Sequence, residues 1–313
     1  MTTTTETAGP TRPVHALAAP RRGQPGQGRP ALVFLLPFVL LYVLFIIGPA
    51  LYGLLMSFFD TSLVKAGLGR FAGLANYADV VRRADFWAAM WHTIWFTILT
   101  TPPLIVLGFV FALLADRVRR GRWFFRLAFF LPYILPSAVV ALIWVWLYTP
   151  KLGLLSRTVT TFGLPEPNWL GSPNWAMVSL AITTVWWTLG FNFVLYLAGL
   201  QEIPRELYEA AAIDGAGPWQ QIRRITIPLL GRTTTLVAVL QVIASLKVFD
   251  QMYIMTSGGP NFSTRSALEY IYDVGFTDFR TGYAAAASTL FFLVVLAVSA
   301  VWLVITRRQE HGV

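Results

Sequence analysis

The sequence predicts an all-α integral membrane protein with six membrane-spanning helices and both termini on the cytoplasmic side. Three observations predict it. The 313-residue chain is 56% hydrophobic and only 12% charged, whereas soluble domains carry about 25% charge. Its apolar residues fall into six runs, each near the ~20 residues that the hydrocarbon core of a bilayer requires. Its arginines and lysines gather in alternate connections, and such clustering marks the cytoplasmic side.

Residues 1–29 are rich in Thr, Pro, Gly and Arg and hold almost no large apolar side chain. Such a segment cannot bury enough surface to offset its ordering entropy, so a disordered, basic cytoplasmic tail is expected. Arg21-Arg22 ahead of an apolar run has the look of a targeting signal. The run is too long for a signal-peptide core, however, and no small-residue cleavage site follows, so a retained first span is expected. The transmembrane domain then covers 30–313, with spans at about 31–57, 89–115, 126–148, 175–200, 232–256 and 284–306. Turn residues such as Gly171-Ser172-Pro173 and Ser257-Gly258-Gly259-Pro260 punctuate the connections.

Fifteen basic residues lie on one side: Arg12, Arg21, Arg22 and Arg29 in the tail, Arg117, Arg119, Arg120, Arg122 and Arg126 in the second connection, Arg205, Arg223, Arg224 and Arg232 in the fourth, and Arg307 and Arg308 at the end. Eight lie on the other (Lys65, Arg70, Arg82, Arg83, Lys151, Arg157, Arg265, Arg280), diluted by seven acids. This asymmetry accounts for the net charge of +9 without nucleic acid, which would need a folded basic face. The outer stretch 58–88 carries Phe71, Tyr77, Phe86 and Trp87, aromatics suited to the membrane interface or to docking a partner.

Several chemistries are excluded. There is no Cys, hence no disulfide or thiolate chemistry. His15, His92 and His311 are far apart and fit no ligand spacing, so no metal site is expected. The sequence contains no P-loop, no Gly-x-Ser-x-Gly elbow, no His-Glu-x-x-His and no Gly-x-Gly-x-x-Gly. Catalysis is not expected, and uphill transport would draw on an ion gradient or on another subunit.

The fifth run is the least apolar. As one helix, it would carry a stripe of Val239, Val242, Leu246, Phe249 and Tyr253, with Gln241, Ala244, Lys247, Asp250 and Gln251 opposite. A Lys or Asp at the centre of a span costs about 2.5–3.5 kcal/mol on insertion scales, so the polar face should turn toward a bundle interior or a pathway. Lys247 and Asp250, at i and i+3, can pair with each other or meet a polar solute. Asn192 can bond a solute hydroxyl or a neighbouring helix. Trp187 and Tyr253 offer rings on which a sugar can stack. Pro132 and Pro136 should kink the third span.

Between the fourth and fifth runs lies a polar stretch, 201–231. From Pro204 to Ile213 the residues favour helix, Asp214-Gly215 should end it, and Gly217-Pro218 can open a second helix running to Pro228. Glu206 and Glu209 offer carboxylates, while Ala210 and Ala211 permit close approach by another protein.

Here the chain resembles the membrane-spanning permeases of binding-protein-dependent ABC importers. Their hallmark is Glu-Ala-Ala, three residues, Gly, nine residues, Ile-x-Leu-Pro. This sequence has Glu209-Ala210-Ala211, Gly215 and Ile225-Thr226-Ile227-Pro228, with Ile227 in place of Leu. Phe249-Asp250-Gln251-Met252-Tyr253-Ile254-Met255-Thr256-Ser257-Gly258-Gly259-Pro260, followed by Thr264, is similar to the sugar-type branch, as are Phe129-Phe130-Leu131-Pro132 and Asn76-Tyr77. The resemblance runs from about residue 31 to the end. It implies the type I ABC importer permease fold in a bacterial plasma membrane and a second, related permease as heterodimer partner. It also implies two ATPase subunits that bind the ATP and Mg, and an extracytoplasmic solute-binding protein; the permease itself needs no cofactor. Glu206, Glu209, Ala210, Ala211, Asp214, Gly215, Ile225 and Pro228 would then couple to the ATPase. Trp187, Asn192, Lys247, Asp250, Gln251 and Tyr253 would line the pathway of a sugar or of another polar solute, such as glycerol-3-phosphate, an amino acid or a peptide. An ion-coupled transporter using Lys247 and Asp250 as a relay is the rival reading.

Overall fold

In lipid a backbone must satisfy its own hydrogen bonds, which leaves helix as the outcome for apolar runs of this length. The computed structural model describes residues 28–65, 67–118 and 121–310, with side chains for all but 28–33, 122 and 301–310. The tail expected over 1–29 therefore lies outside the described residues up to position 27, and the last two of its residues, 28 and 29, lie in helix. The side chains of Arg12, Arg21, Arg22, Arg29, Arg119, Arg120, Arg122, Arg307 and Arg308 lie outside them too, as do His15 and His311.

The chain divides into two units, Met1–Leu51 and Tyr52–Val313. The first holds most of α1 (28–56), an apolar helix with one π turn at Val43–Ile47. In the second, β1 (Phe59–Asp60) pairs antiparallel with β2 (Arg70–Phe71). Then come α2 (Ala75–Arg82), α3 (Ala84–Arg117), α4 (Arg122–Ile134), α5 (Ser137–Tyr148), α6 (Leu154–Thr161) and α7 (Pro173–Glu202). Next are α8 (Arg205–Ile213), α9 (Pro218–Leu229, with a π turn at Ile222–Thr226), α10 (Gly231–Leu246), α11 (Asp250–Thr256), α12 (Ala267–Tyr272) and α13 (Thr281–Glu310). Among the described residues, four helices are long and apolar enough to cross a membrane, and six segments are if each of two bent pairs counts as one.

Helix α3 threads the whole core. Its Phe86 and Met90 pack with Tyr270, Tyr283 and Phe291; its Phe96 packs with Trp144, Tyr148 and Met252; its Ala112 and Ala115 pack with Phe193, Tyr196 and Leu230. Gly190 sets the approach of α4 to α7. A Cβ there would lie 2.0 Å from the Phe129 carbonyl oxygen, so only glycine admits this contact.

Two expected spans are corrected. The run 126–148 is not one kinked helix but α4 and α5, which meet at 96°. Leu135 is extended (φ −67°, ψ 139°), the conformation favoured before a proline, and Pro136 begins the new direction. The run 232–256 also breaks. Helix α10 stops at Leu246, Phe249 is far from helical (φ −140°, ψ −64°), and α11 restarts at Asp250. A carboxylate in the first turn favours that restart. The continuous apolar stripe expected through Phe249 and Tyr253 is thus cut, and α10 pairs instead with α9 at a 62° bend.

The outer aromatics are corrected in part. Phe86 is 1% exposed and belongs to the core, while Phe71 and Trp87 stay exposed. Tyr77 bonds the Ser57 hydroxyl at 2.6 Å, and buried Asn76 donates to the carbonyls of Ser57 and Phe59, both at 2.9 Å.

Candidate functional site

The two helix breaks face each other across a cleft of about 310 Å³. That lies at the low end of the ~300–1,000 Å³ usual for small-molecule sites. Four of the six residues expected to line a pathway meet here: Trp187 from α7, Lys247 in the break, and Asp250 and Gln251 at the head of α11. Irregular backbone at membrane depth is tolerated where it lines a cavity. Here the break aims two charged side chains into that space.

Lys247 and Asp250 do not form the ion pair that their spacing allows: no described ion pair joins them. Asp250 instead accepts a 2.6 Å hydrogen bond from Ser137, the first residue of α5. The cause is the break itself, which removes the helical i, i+3 geometry. Gln251 is 3% exposed and accepts from Thr184 at 2.7 Å, while its Nε2 has no partner among the described residues. A buried, unpaired amide N–H beside a cleft is a donor waiting for an acceptor. Trp187 is anchored by its indole N–H, which donates to the Leu135 carbonyl at 3.2 Å.

Asn192 and Tyr253 do not line the cleft. Asn192 is fully buried and accepts from Gln241 Nε2 at 2.9 Å, a bond between α7 and α10. Tyr253 lies outside, stacked on Phe249 at 5.3 Å and packed edge-on against Tyr272. The cleft also contains Tyr133, Ser137, Thr184 and Thr188, which the sequence reading passed over. The signal was present for two of them. Thr184 and Thr188 share one helical face with Trp187, at i, i+3 and i+4.

The second site is the connection between α7 and α10. Helix α8 ends at Asp214, and Gly215 takes φ +80°, the left-handed conformation that glycine adopts at helix ends. The N–H of Ala216 bonds back to Ala211 at 2.8 Å. Tyr208 and Ala211 turn inward, whereas Glu206, Glu209, Ala210 and Ile213 form one exposed face, at i, i+3, i+4 and i+7. Ile213 is 88% exposed and Trp219 is 70% exposed. The two arms are braced. The Tyr208 hydroxyl bonds Thr226 Oγ1 at 3.0 Å, and Gln221 Nε2 donates to the carbonyls of Tyr208 and Ala216. Ile225 is half-buried within the π turn, and Pro228 is exposed near the end of α9.

The Ser257-to-Thr264 segment folds as a tight turn. Ser257 and Gly258 are left-handed, and Thr264 Oγ1 bonds both the Gly259 carbonyl and the Thr256 hydroxyl. Beyond it, the Arg265 guanidinium lies over the rings of Phe262 and Tyr270, at 4.2 and 5.1 Å, and 3.9 Å from Asp273. Glu269 is 2% exposed. Burial, helped by the charge of Asp273, pushes its carboxyl up to about 7, against a Ser266 backbone hydrogen bond and the charge of Arg265.

Comparison with known proteins places these features. The family model described as "Binding-protein-dependent transport system inner membrane component" matches residues 104–310. The sulfoquinovosyl glycerol transport system permease protein SmoG of Agrobacterium fabrum is 35% identical over 280 residues, covering 90% of this chain and 91% of that protein. The trehalose/maltose transport system permease protein MalF of Thermococcus litoralis is 34% identical over 283 residues, covering 89% and 94%. Among solved structures, a bacterial ABC transporter involved in the import of the acidic polysaccharide alginate superposes with a TM-score of 0.80 at 25% identity, over 90% of this chain and 96% of that one.

Proposed function

The chain belongs to the inner membrane components of binding-protein-dependent transport systems, and we propose that it forms half of the pathway of an ATP-driven sugar importer. The substrate is a sugar, glycoside or oligosaccharide handed over by an extracytoplasmic binding protein. The other half comes from a second, related permease, and ATP and Mg bind on two cytoplasmic ATPase subunits. The chain is a multi-pass membrane protein. Six spans, cytoplasmic termini and the bacterial plasma membrane complete the proposal, supported by the arginine asymmetry and by the two bent pairs.

One observation carries this reading. The Glu209-to-Pro228 motif folds as an exposed helix, a left-handed turn at Gly215 and a second helix, held between two membrane segments. A protein lacking any nucleotide motif can receive the work of ATP hydrolysis only through such a contact. ATPase closure draws α8 with it and shifts the bundle between inward- and outward-facing states. A ligand or nucleotide drives that shift only through different affinities for the two states. In the cleft, Asp250 and Lys247 bond sugar hydroxyls, Gln251 Nε2 donates, and Trp187 supplies a ring face. Support for a sugar comes from relatives named for glycosides and disaccharides and from the uncharged hydrogen-bonding groups that outnumber charges in the cleft.

The test is reconstitution with the partner permease and ATPase that copurify with this chain. Uptake of binding-protein-delivered sugar should require ATP inside the vesicle and no proton gradient. Uptake driven by a proton gradient alone, with no copurifying ATPase, would reassign the protein to the ion-coupled class.

A further inference from the structure

A separate cavity of about 740 Å³ lies behind the coupling connection. Asp116 and Arg117 reach it from the end of α3, Arg126 from α4, Arg205 and Tyr208 from α8, and Gln221 from α9. Among the described residues, three arginines and one acid, Asp116, therefore line this space. Its volume exceeds what one ion pair fills; a water occupies only about 30 Å³. Guanidinium groups in this number suit a phosphate, whose oxygens accept paired N–H bonds.

A second observation says what carries the phosphate. Beside Arg126, helix α4 holds out Trp123, Phe124, Phe125 and Leu127, which are 70, 58, 38 and 48% exposed. Aromatic side chains of this kind settle at the boundary between acyl chains and headgroups. Arg126 thus lines the cavity from the same short stretch of α4 that holds out these apolar side chains. Basic pockets between membrane helices on the cytoplasmic side take anionic headgroups.

We propose that this cavity binds the phosphodiester headgroup of an anionic phospholipid, with its acyl chains along the exposed face of α4. The phosphate neutralises the guanidinium excess. It links the ends of α3 and α4 to Arg205, at the foot of the coupling helix. The proposal rests on the cytoplasmic placement of this connection proposed above, and on neither the sugar reading nor the transport direction.

The experiment uses the full chain, purified with its partner subunits and exchanged into nanodiscs of phosphatidylglycerol and phosphatidylcholine. Retained lipid is counted by native mass spectrometry. The wild type should hold phosphatidylglycerol in preference to phosphatidylcholine. The double variant Arg117→Gln/Arg126→Gln should hold it roughly thirty-fold more weakly, at about 1 kcal/mol per arginine. Arg157→Gln, on the loop-side helix α6, should retain it as the wild type does. A photoreactive phosphatidylglycerol should crosslink to wild-type peptides from 113–126 or 201–226, a readout that needs no variant to fold. Equal retention by wild type and double variant, or crosslinks confined to other segments, overturns the proposal. Displacement by excess inorganic phosphate overturns it as well, by assigning the cavity to a soluble anion.

Discussion

Ser137 donates a 2.6 Å hydrogen bond to Asp250, and that contact ties the elbow between α4 and α5 to the break between α10 and α11. Asp250 is exposed, so screening keeps the bond modest, at about 0.5–1.5 kcal/mol. The Ser137→Ala/Asp250→Ala double-mutant cycle should show coupling of that size in thermal unfolding. Additive effects would mean the two breaks are held independently.

Lys247 and Asp250 face the cleft without pairing. Lys247→Ala and Asp250→Ala should each slow sugar uptake and alter preference among mono-, di- and trisaccharides, with ATPase binding unchanged. Unchanged rate and specificity would reduce both residues to structural parts of the helix break.

Gly215 has open space around its missing Cβ, so a substitution there strains the backbone and clashes with nothing. Gly215→Val should cost about 1–2 kcal/mol locally and leave the bundle folded. Sugar uptake and transport-coupled ATP hydrolysis should nonetheless be lost together in proteoliposomes. If both persist, the turn does not transmit.

The buried Asn192–Gln241 bond is a matter of packing between α7 and α10. Such interhelical bonds in membranes average about 0.6 kcal/mol and reach about 1.7. Gln241→Leu should lower the melting temperature in detergent, because it leaves Asn192 buried with its remaining bond lost. The Asn192→Leu/Gln241→Leu double variant should recover part of the loss.

Glu269 makes stability depend on pH. Its folded value of about 7 lies above the ordinary 4.5, so between these values the folded state binds more protons than the unfolded one. Stability should be greatest below about pH 4.5 and should fall as pH rises through about 7. Asp273, also raised first by burial, adds in the same direction. Melting curves across this range should flatten in Glu269→Gln; an unchanged slope would place the effect elsewhere.

Much of this was legible in the sequence, for physical reasons that differ by element. The connection between α7 and α10 was readable because its signals are local: Pro204 near a helix start, Gly215 at a left-handed turn, Pro218 opening the next helix. The four long apolar helices were readable from length and hydropathy alone. The fifth run misled, since Leu246 to Phe249 contains neither Gly nor Pro. What breaks the helix there is the placement of Lys247 and Asp250 toward a cavity formed by distant segments. The roles of Ser137 and Thr184 depend on those same long-range contacts. Asn192, suited by type to either a solute or a helix, was settled only by the position of Gln241.

The cross-bracing of Tyr208 to Thr226, and of Gln221 to Ala216, bears on how force passes through the molecule. An unbraced polar loop behaves as an entropic spring, taking up a displacement at its tip by changing its own torsions. With its two arms fastened together, this one acts as a strut in compression. Under the proposed ATPase contact, a push at Ile213 passes through both braced arms to α7 and α10. Loosening the brace, as in Tyr208→Phe, should leave the docking face intact while letting ATP turnover slip relative to the number of solute molecules moved.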